Sequence, residues 1–194
     1  MKKWVFVSYR RDDAASDARF ISEALLREFG PDAVFMDVFS ITAGAVWPQA
    51  LRVALADAHV VLAIIGKRWL AAGGEGRQPR LEQPGDWVAQ ELTIALESPD
   101  KTVVPVLVEG ASPIPAEALP EALRPLSDRQ YVPIRRDYAV HDLELLLKPL
   151  REILAAKGLC HREAVRRIRR LPQPELKSPG CRTLPECFSG AIAS

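Results

Sequence analysis

The chain has 194 residues and a mass of 21.5 kDa, a length that suits one ordinary domain of about 100 to 200 residues with a tail and excludes two full domains. A hydrophobic share of 48% and a charged share of 26% provide apolar surface for a sizeable core and exclude wholesale disorder. Lys+Arg 26 against Asp+Glu 25 leaves a formal charge of +1, which argues against a chain devoted to coating nucleic acid or anionic lipid.

The charge is unevenly placed. Residues 156–194 hold eight Lys/Arg and three Asp/Glu, leaving 18 basic and 22 acidic residues for positions 1–155, so a body near −4 carries a tail near +5. All three cysteines, Cys160, Cys181 and Cys187, fall in the tail, with neither the number nor the spacing of a disulfide framework or a CxxC zinc site. No apolar run approaches the roughly 18 residues that cross a bilayer. The stretch after Lys2 and Lys3 is apolar only from Trp4 to Val7, too short for a secretory signal. The expectation is a cytoplasmic protein with no membrane partner.

In chain order, Trp4–Val7 predicts the first strand. Behind Asp12 and Asp13, the residues Phe20, Ile21, Ala24, Leu25 and Phe29 recur at helical spacing, and Gly30 suits the left-handed position that ends a helix. Ala33–Met36 predicts a second strand, and a second helix begins near Pro48 with Leu51, Ala54, Leu55 and Ala58 on its apolar face. His59–Ile65 is a continuously apolar third strand, as a parallel sheet covered on both faces requires. The Gly- and Pro-containing stretch from Gly73 to Gly85 predicts a mobile loop.

Asp86 is a candidate N-cap for a third helix running to about Glu97. Thr102–Val108 predicts a fourth strand that sits near an edge or carries a bulge at Pro105. Tyr131–Ile134 predicts a fifth, and a last helix carries Leu143, Leu146, Leu147, Leu150 and Leu154. This alternation implies an α/β fold: a doubly wound sheet of five parallel strands with helices on both faces. Beyond it, residues 156–194 read as a basic, Pro-containing tail. Its Arg162–Arg170 stretch suits a solvated linker better than a helix that touches a partner or nucleic acid.

Familiar signatures are absent. No GxGxxG follows the first strand, no P-loop occurs, HExxH is missing, and His59, His141 and His161 are too scattered for a metal site or a nucleophilic triad. What remains is polar residues at the carboxyl ends of strands, where open α/β sheets bind ligands. Ser8-Tyr9-Arg10-Arg11-Asp12 closes the first strand, Asp37 the second, and Gly66-Lys67-Arg68-Trp69 the third. Asp37 leads into a loop whose Ala43-Gly44 pair permits close backbone approach. On the third helix, Trp87 and Glu91 stand four apart on one stripe, beside a buried stripe of Val88, Leu92 and Ala95. The pair fits the lip of a site, and it fits equally a surface glutamate beside a half-buried tryptophan.

These segments together resemble the Toll/interleukin-1 receptor (TIR) domain family, the bacterial branch above all. The resemblance rests on Phe6–Arg11, on Val34–Asp37 with Ile41 and Gly44, on Ile64–Leu70, on Asp86–Leu92 and on Val104–Val108, and it covers residues 1–155. It implies a flavodoxin-like sheet and cleavage of NAD+ at the nicotinamide–ribose bond, giving nicotinamide with ADP-ribose or a cyclic isomer. NAD+ is then a substrate, and neither cofactor nor metal is expected.

By that resemblance Glu91 is the catalytic carboxylate, and Ser8, Tyr9, Arg10, Arg11, Asp37 and Trp87 line the substrate pocket. Residues 38–46 form the BB loop, with Phe39, Ile41, Thr42 and Gly44, where Thr42 replaces an acidic residue of some catalytic relatives. Self-association through that loop and a role in bacterial immune or antiphage signalling are further implications; the tail, which the resemblance does not reach, is open to a partner protein or downstream module.

The chemistry suits one carboxylate. Nicotinamide leaves as a neutral molecule without a general acid, and Glu91 can stabilise the oxocarbenium-like ribosyl centre that remains. Arg10 or Arg11 can hold the diphosphate. The alternatives are a non-catalytic scaffold that signals by TIR–TIR association and a nucleotide sensor without turnover.

Overall fold

The computed structural model describes residues 3–36, 47–70, 79–83 and 85–159. The expected BB loop, most of the Gly-rich insertion and the basic tail lie outside them.

Five strands form one parallel sheet: β1 (Val5–Tyr9), β2 (Val34–Phe35), β3 (Val60–Ile65), β4 (Thr102–Val108) and β5 (Val132–Ile134). Their spatial order is β2-β1-β3-β4-β5. The chain steps outward from β1 to β2 and returns to lay β3 on the other side of β1, with Val5 opposite Val60 and Tyr9 opposite Ile64. The carboxyl ends of β1 and β3 therefore flank the point where strand order reverses, the crevice that open α/β sheets use for ligands.

Helices cover both faces. Helix α1 (Arg11–Phe29) and α4 (Ala139–Ala156) pack Ile21, Leu25, Leu146 and Leu150 against Val5, Val7, Leu62 and Val106. On the other face, α2 (Trp47–Asp57) and α3 (Trp87–Glu97) bring Leu51, Leu55, Val88 and Leu92 to Phe6, Phe35, Val61 and Ile65. Strands β1 to β4 each feed both clusters because successive side chains point to opposite faces, so β3 is apolar at all six positions and wholly buried.

Local signals behave as their chemistry dictates. Gly30 ends α1 at φ 87 and donates its N–H to the Leu26 carbonyl at 2.9 Å. Asp86 caps α3 by accepting from the Ala89 N–H at 2.8 Å. Pro105 pairs with Ala63 of β3, whereas the β5 ladder begins only at Val106, so the missing N–H falls where β4 has one neighbour. The β4–β5 crossover, to which the sequence assigned no helix, is built from tight 3₁₀ turns at Ala116–Ala118 and Glu121–Leu126. Pro120 and Pro125 interrupt an α-helix there, while Leu119, Leu123 and Leu126 still reach the core.

Candidate functional site

Strand alternation decides which residues of the first motif meet. Val5, Val7 and Tyr9 point toward α1 and α4, so Tyr9 is buried in that cluster. Phe6 and Ser8 point toward α3, and Arg10, just past the strand end, turns the same way. On α3, Glu91 stands beside the buried Val88–Leu92–Ala95 stripe and is itself only 7% exposed.

Two polar links join β1 to α3. The Ser8 hydroxyl donates to Glu91 Oε2 at 2.6 Å, within the buried interior. Arg10 Nη1 meets Asp86 Oδ2 at 2.6 Å, with both side chains buried. The other oxygen of Asp86 caps the helix that carries Glu91, so one carboxylate sets the position of α3 and anchors Arg10. Arg10 is further held by donating from Nε to the Trp69 carbonyl at 3.0 Å, and its guanidinium lies 5.7 Å from the Trp69 ring centre. Arg10 is 5% exposed and Trp69 1% exposed, yet Arg10 Nη2 and Trp69 Nε1 have no hydrogen-bond partner among the described residues. Buried donors of this kind are costly unless something accepts from them.

A third link sets the far wall. Asp13 of α1 accepts from the backbone N–H of Gly66 at 2.9 Å and of Arg68 at 2.8 Å, tying the start of α1 to the end of β3. A side chain at Gly66 would meet this carboxylate, since a Cβ there would stand 2.5 Å from Asp13 Oδ1. At the rim, Asp12 pairs with Arg80. Burial pushes the Asp12 carboxyl up, but the Arg80 hydrogen bond, a backbone hydrogen bond and the charges of Arg80 and Arg10 together outweigh it and hold the group below its ordinary 3.8.

Of the residues expected at the site, Ser8 and Glu91 meet, Arg10 reaches the same helix through Asp86, and Trp87 lies half-buried against the core cluster on that face. Tyr9 projects from the opposite face, and Arg11 is exposed as the first residue of α1. Asp37, Phe39, Ile41, Thr42 and Gly44 lie outside the described residues. The sequence reading put Gly66 and Trp69 at the carboxyl end of the third strand without giving either a partner, and it did not connect Asp86 and Asp13 to the site. Asp86 carried a signal as a cap, but nothing local announced an arginine partner 76 positions away.

The family model described as the TIR domain matches residues 5–147. The solved TIR domains of the activated Roq1 resistosome, which directly recognizes the pathogen effector XopQ, are similar in fold, with a TM-score of 0.58. They are 16% identical, over 76% of this chain and 99% of that one. A metazoan TIR-STING receptor from C. gigas in complex with 2′,3′-cGAMP gives a TM-score of 0.49 at 19% identity, over 72% of this chain and 38% of the receptor. No curated protein matches the chain.

Proposed function

The chain belongs to the TIR domain family, and from that premise we propose that it is an NAD+ glycohydrolase with Glu91 as the catalytic carboxylate. The observation that carries this reading is the Ser8–Glu91 hydrogen bond of 2.6 Å, which fixes a buried carboxylate beside the carboxyl end of β1, at the reversal in strand order. A surface glutamate would need no such support, and a buried one is expensive to keep without a task.

In this mechanism the nicotinamide ring leaves as a neutral molecule, so the protein supplies no proton to the leaving group. Positive charge then spreads over the ribose anomeric carbon and ring oxygen, and the Glu91 carboxylate faces it, while its second role is to accept from the ribose hydroxyls. Ser8 orients the carboxylate by donating to one oxygen. Arg10 is anchored by Asp86 and keeps Nη2 as a donor for a diphosphate oxygen, while Trp87 offers a flat face to a ring. Water, or a nitrogen or hydroxyl of the same molecule's adenosine, captures the ribosyl centre, giving ADP-ribose or a cyclic isomer.

Self-association through residues 38–46 completes or activates the site in this reading, and the resemblance in fold to TIR domains of a resistosome supports it. The setting we propose is cytoplasmic immune or antiphage signalling, with residues 156–194 available to a partner. A scaffold would need the loop and surface charge, but not a glutamate buried and held by Ser8.

The test is chromatographic detection of nicotinamide after incubating purified protein with NAD+, free and under forced clustering. Nicotinamide release that falls about 100-fold or more in Glu91→Gln is the expected result. Release by Glu91→Gln at the unmutated rate would remove Glu91 from the chemistry.

A further inference from the structure

On the α1 and α4 side of the sheet, away from Glu91, a cavity of about 510 Å³ opens at the carboxyl ends of β4 and β5. Lys67, Glu109, Gly110, Arg135 and Arg136 line it. A second cavity of about 290 Å³ adjoins it, sharing Ile134 and Arg136 and adding Phe20, Asp17 and Ser16.

Two of the basic groups, Arg135 and Arg136, are set in place in advance. Arg135 is gripped by Asp142, which accepts from Nε at 2.9 Å and from Nη2 at 2.7 Å and is itself 0% exposed. Behind it the guanidinium lies 4.7 Å from the Tyr138 ring centre. Arg136 pairs with Glu109 at 3.0 Å in the open, where an ion pair contributes little to stability. Yet Glu109 is the one non-glycine residue at positive φ among the described residues, at 54°, in a tight turn closed by the Ala111 N–H and the Val108 carbonyl at 2.9 Å. This turn at the end of β4 fixes the position from which Glu109 reaches Arg136. Lys67 adds a third basic group to the lining and is exposed.

The neighbouring cavity has different chemistry. Phe20 is a large apolar side chain left 41% exposed, and Asp17 beside it offers a carboxylate acceptor. Lys67, Arg135 and Arg136 outnumber Glu109 and the buried Asp142, a balance that favours an anion. Phe20, Ile134 and Asp17 favour a flat ring that bears an amino group. The larger volume falls within the range of small-ligand sites, roughly 300 to 1,000 Å³, and the smaller lies at its lower edge.

We propose that these joined cavities bind a purine nucleotide, its phosphates on Lys67, Arg135 and Arg136 and its base on Phe20 beside Asp17, at a site separate from Glu91. The proposal does not depend on catalysis by this chain.

Isothermal titration of the full chain with ADP tests it, with pyrophosphate and adenosine as partial ligands. ADP is expected to bind saturably and more weakly as salt is raised. Arg136→Ala should weaken ADP and pyrophosphate by about tenfold or more, whereas Phe20→Ala should weaken ADP and leave pyrophosphate unchanged. Arg136 and Phe20 are both exposed, and thermal unfolding followed by circular dichroism checks that each variant folds. No saturable binding of ADP overturns the proposal. Binding that Arg136→Ala leaves unchanged overturns it too, because the nucleotide then sits elsewhere. Loss in Arg136→Ala without loss in Phe20→Ala reduces the site to an anion patch and overturns the nucleotide assignment.

Discussion

Ser8 and Glu91, 83 positions apart in sequence, meet in the interior as donor and acceptor 2.6 Å apart. The contact exists because β1 lies next to the strand-order reversal and because residue 8 of that strand faces α3 and not α1. It gives Glu91 a fixed carboxylate orientation before any ligand arrives, which is the preorganisation that electrostatic stabilisation of a ribosyl cation requires.

Ser8→Ala should therefore affect stability and turnover together. Removing the hydroxyl leaves Glu91 Oε2 without that donor in a buried site, at a cost of about 1 to 3 kcal/mol. Nicotinamide release should fall about tenfold, less than in Glu91→Gln, because the carboxylate remains but is free to turn. Urea unfolding and the nicotinamide assay on the same preparation check both. Unchanged stability and unchanged release in Ser8→Ala would show that the hydroxyl neither supports nor orients Glu91.

Asp86 combines a helix cap with a buried ion pair, so Asp86→Ala removes two supports at once. Loss of the cap costs about 1 kcal/mol, and leaving Arg10 buried without its partner about 3 to 5 kcal/mol more. The single change should sharply lower the denaturation midpoint. Adding Arg10→Ala to Asp86→Ala should cost far less than the sum of the two single changes, since the uncompensated charge disappears with it. Full additivity in a double-mutant cycle would contradict the pairing.

Much of this architecture was readable from short-range pattern. Continuous apolar runs marked β3 and β4 because both faces are covered, the Asp86 cap and the Gly30 stop mark helix ends by local chemistry, and Pro105 pointed to a strand near an edge, where β4 stands next to the edge strand β5. Pairing across the sheet was not readable. In a doubly covered strand both faces are apolar, so no polarity signal separates Ser8 from Tyr9, and the two belong to opposite clusters. Arg10 and Asp86 find each other only through the strand order, which no local spacing encodes.

Gly66 faces a tighter constraint than its place at a strand end suggests. A Cβ would fall 2.5 Å from Asp13 Oδ1, so Gly66→Ala must push away the carboxylate that accepts from the Gly66 and Arg68 amides. The expected loss is about 2 kcal/mol, mainly from stranding two backbone donors. Asp13→Ala should cost a similar amount, and Gly66→Ala added to Asp13→Ala should cost little more, because the obstructing side chain has gone. Thermal unfolding of the three variants checks this. A large additional loss in the double variant would place the clash elsewhere.

Acid sensitivity should centre on Asp142. The Arg135 side-chain hydrogen bonds lower its carboxyl from an ordinary 3.8 to about 2 in the folded protein, against the opposing push of burial. A folded-state value below the unfolded one means that the ionised carboxylate stabilises the fold. Its contribution is complete above about pH 4 and is lost as the pH falls toward about 2. Asp142→Asn should therefore be less stable than the parent at neutral pH, with a gap that narrows through that window and closes near its lower end. Raising the ionic strength should trim the gap only modestly, because Asp142 is buried even though Arg135 is partly open to solvent. Urea unfolding from pH 7 down to pH 2 measures the gap directly, and a gap that stays constant across this range would assign the loss to packing and not to the charge on Asp142.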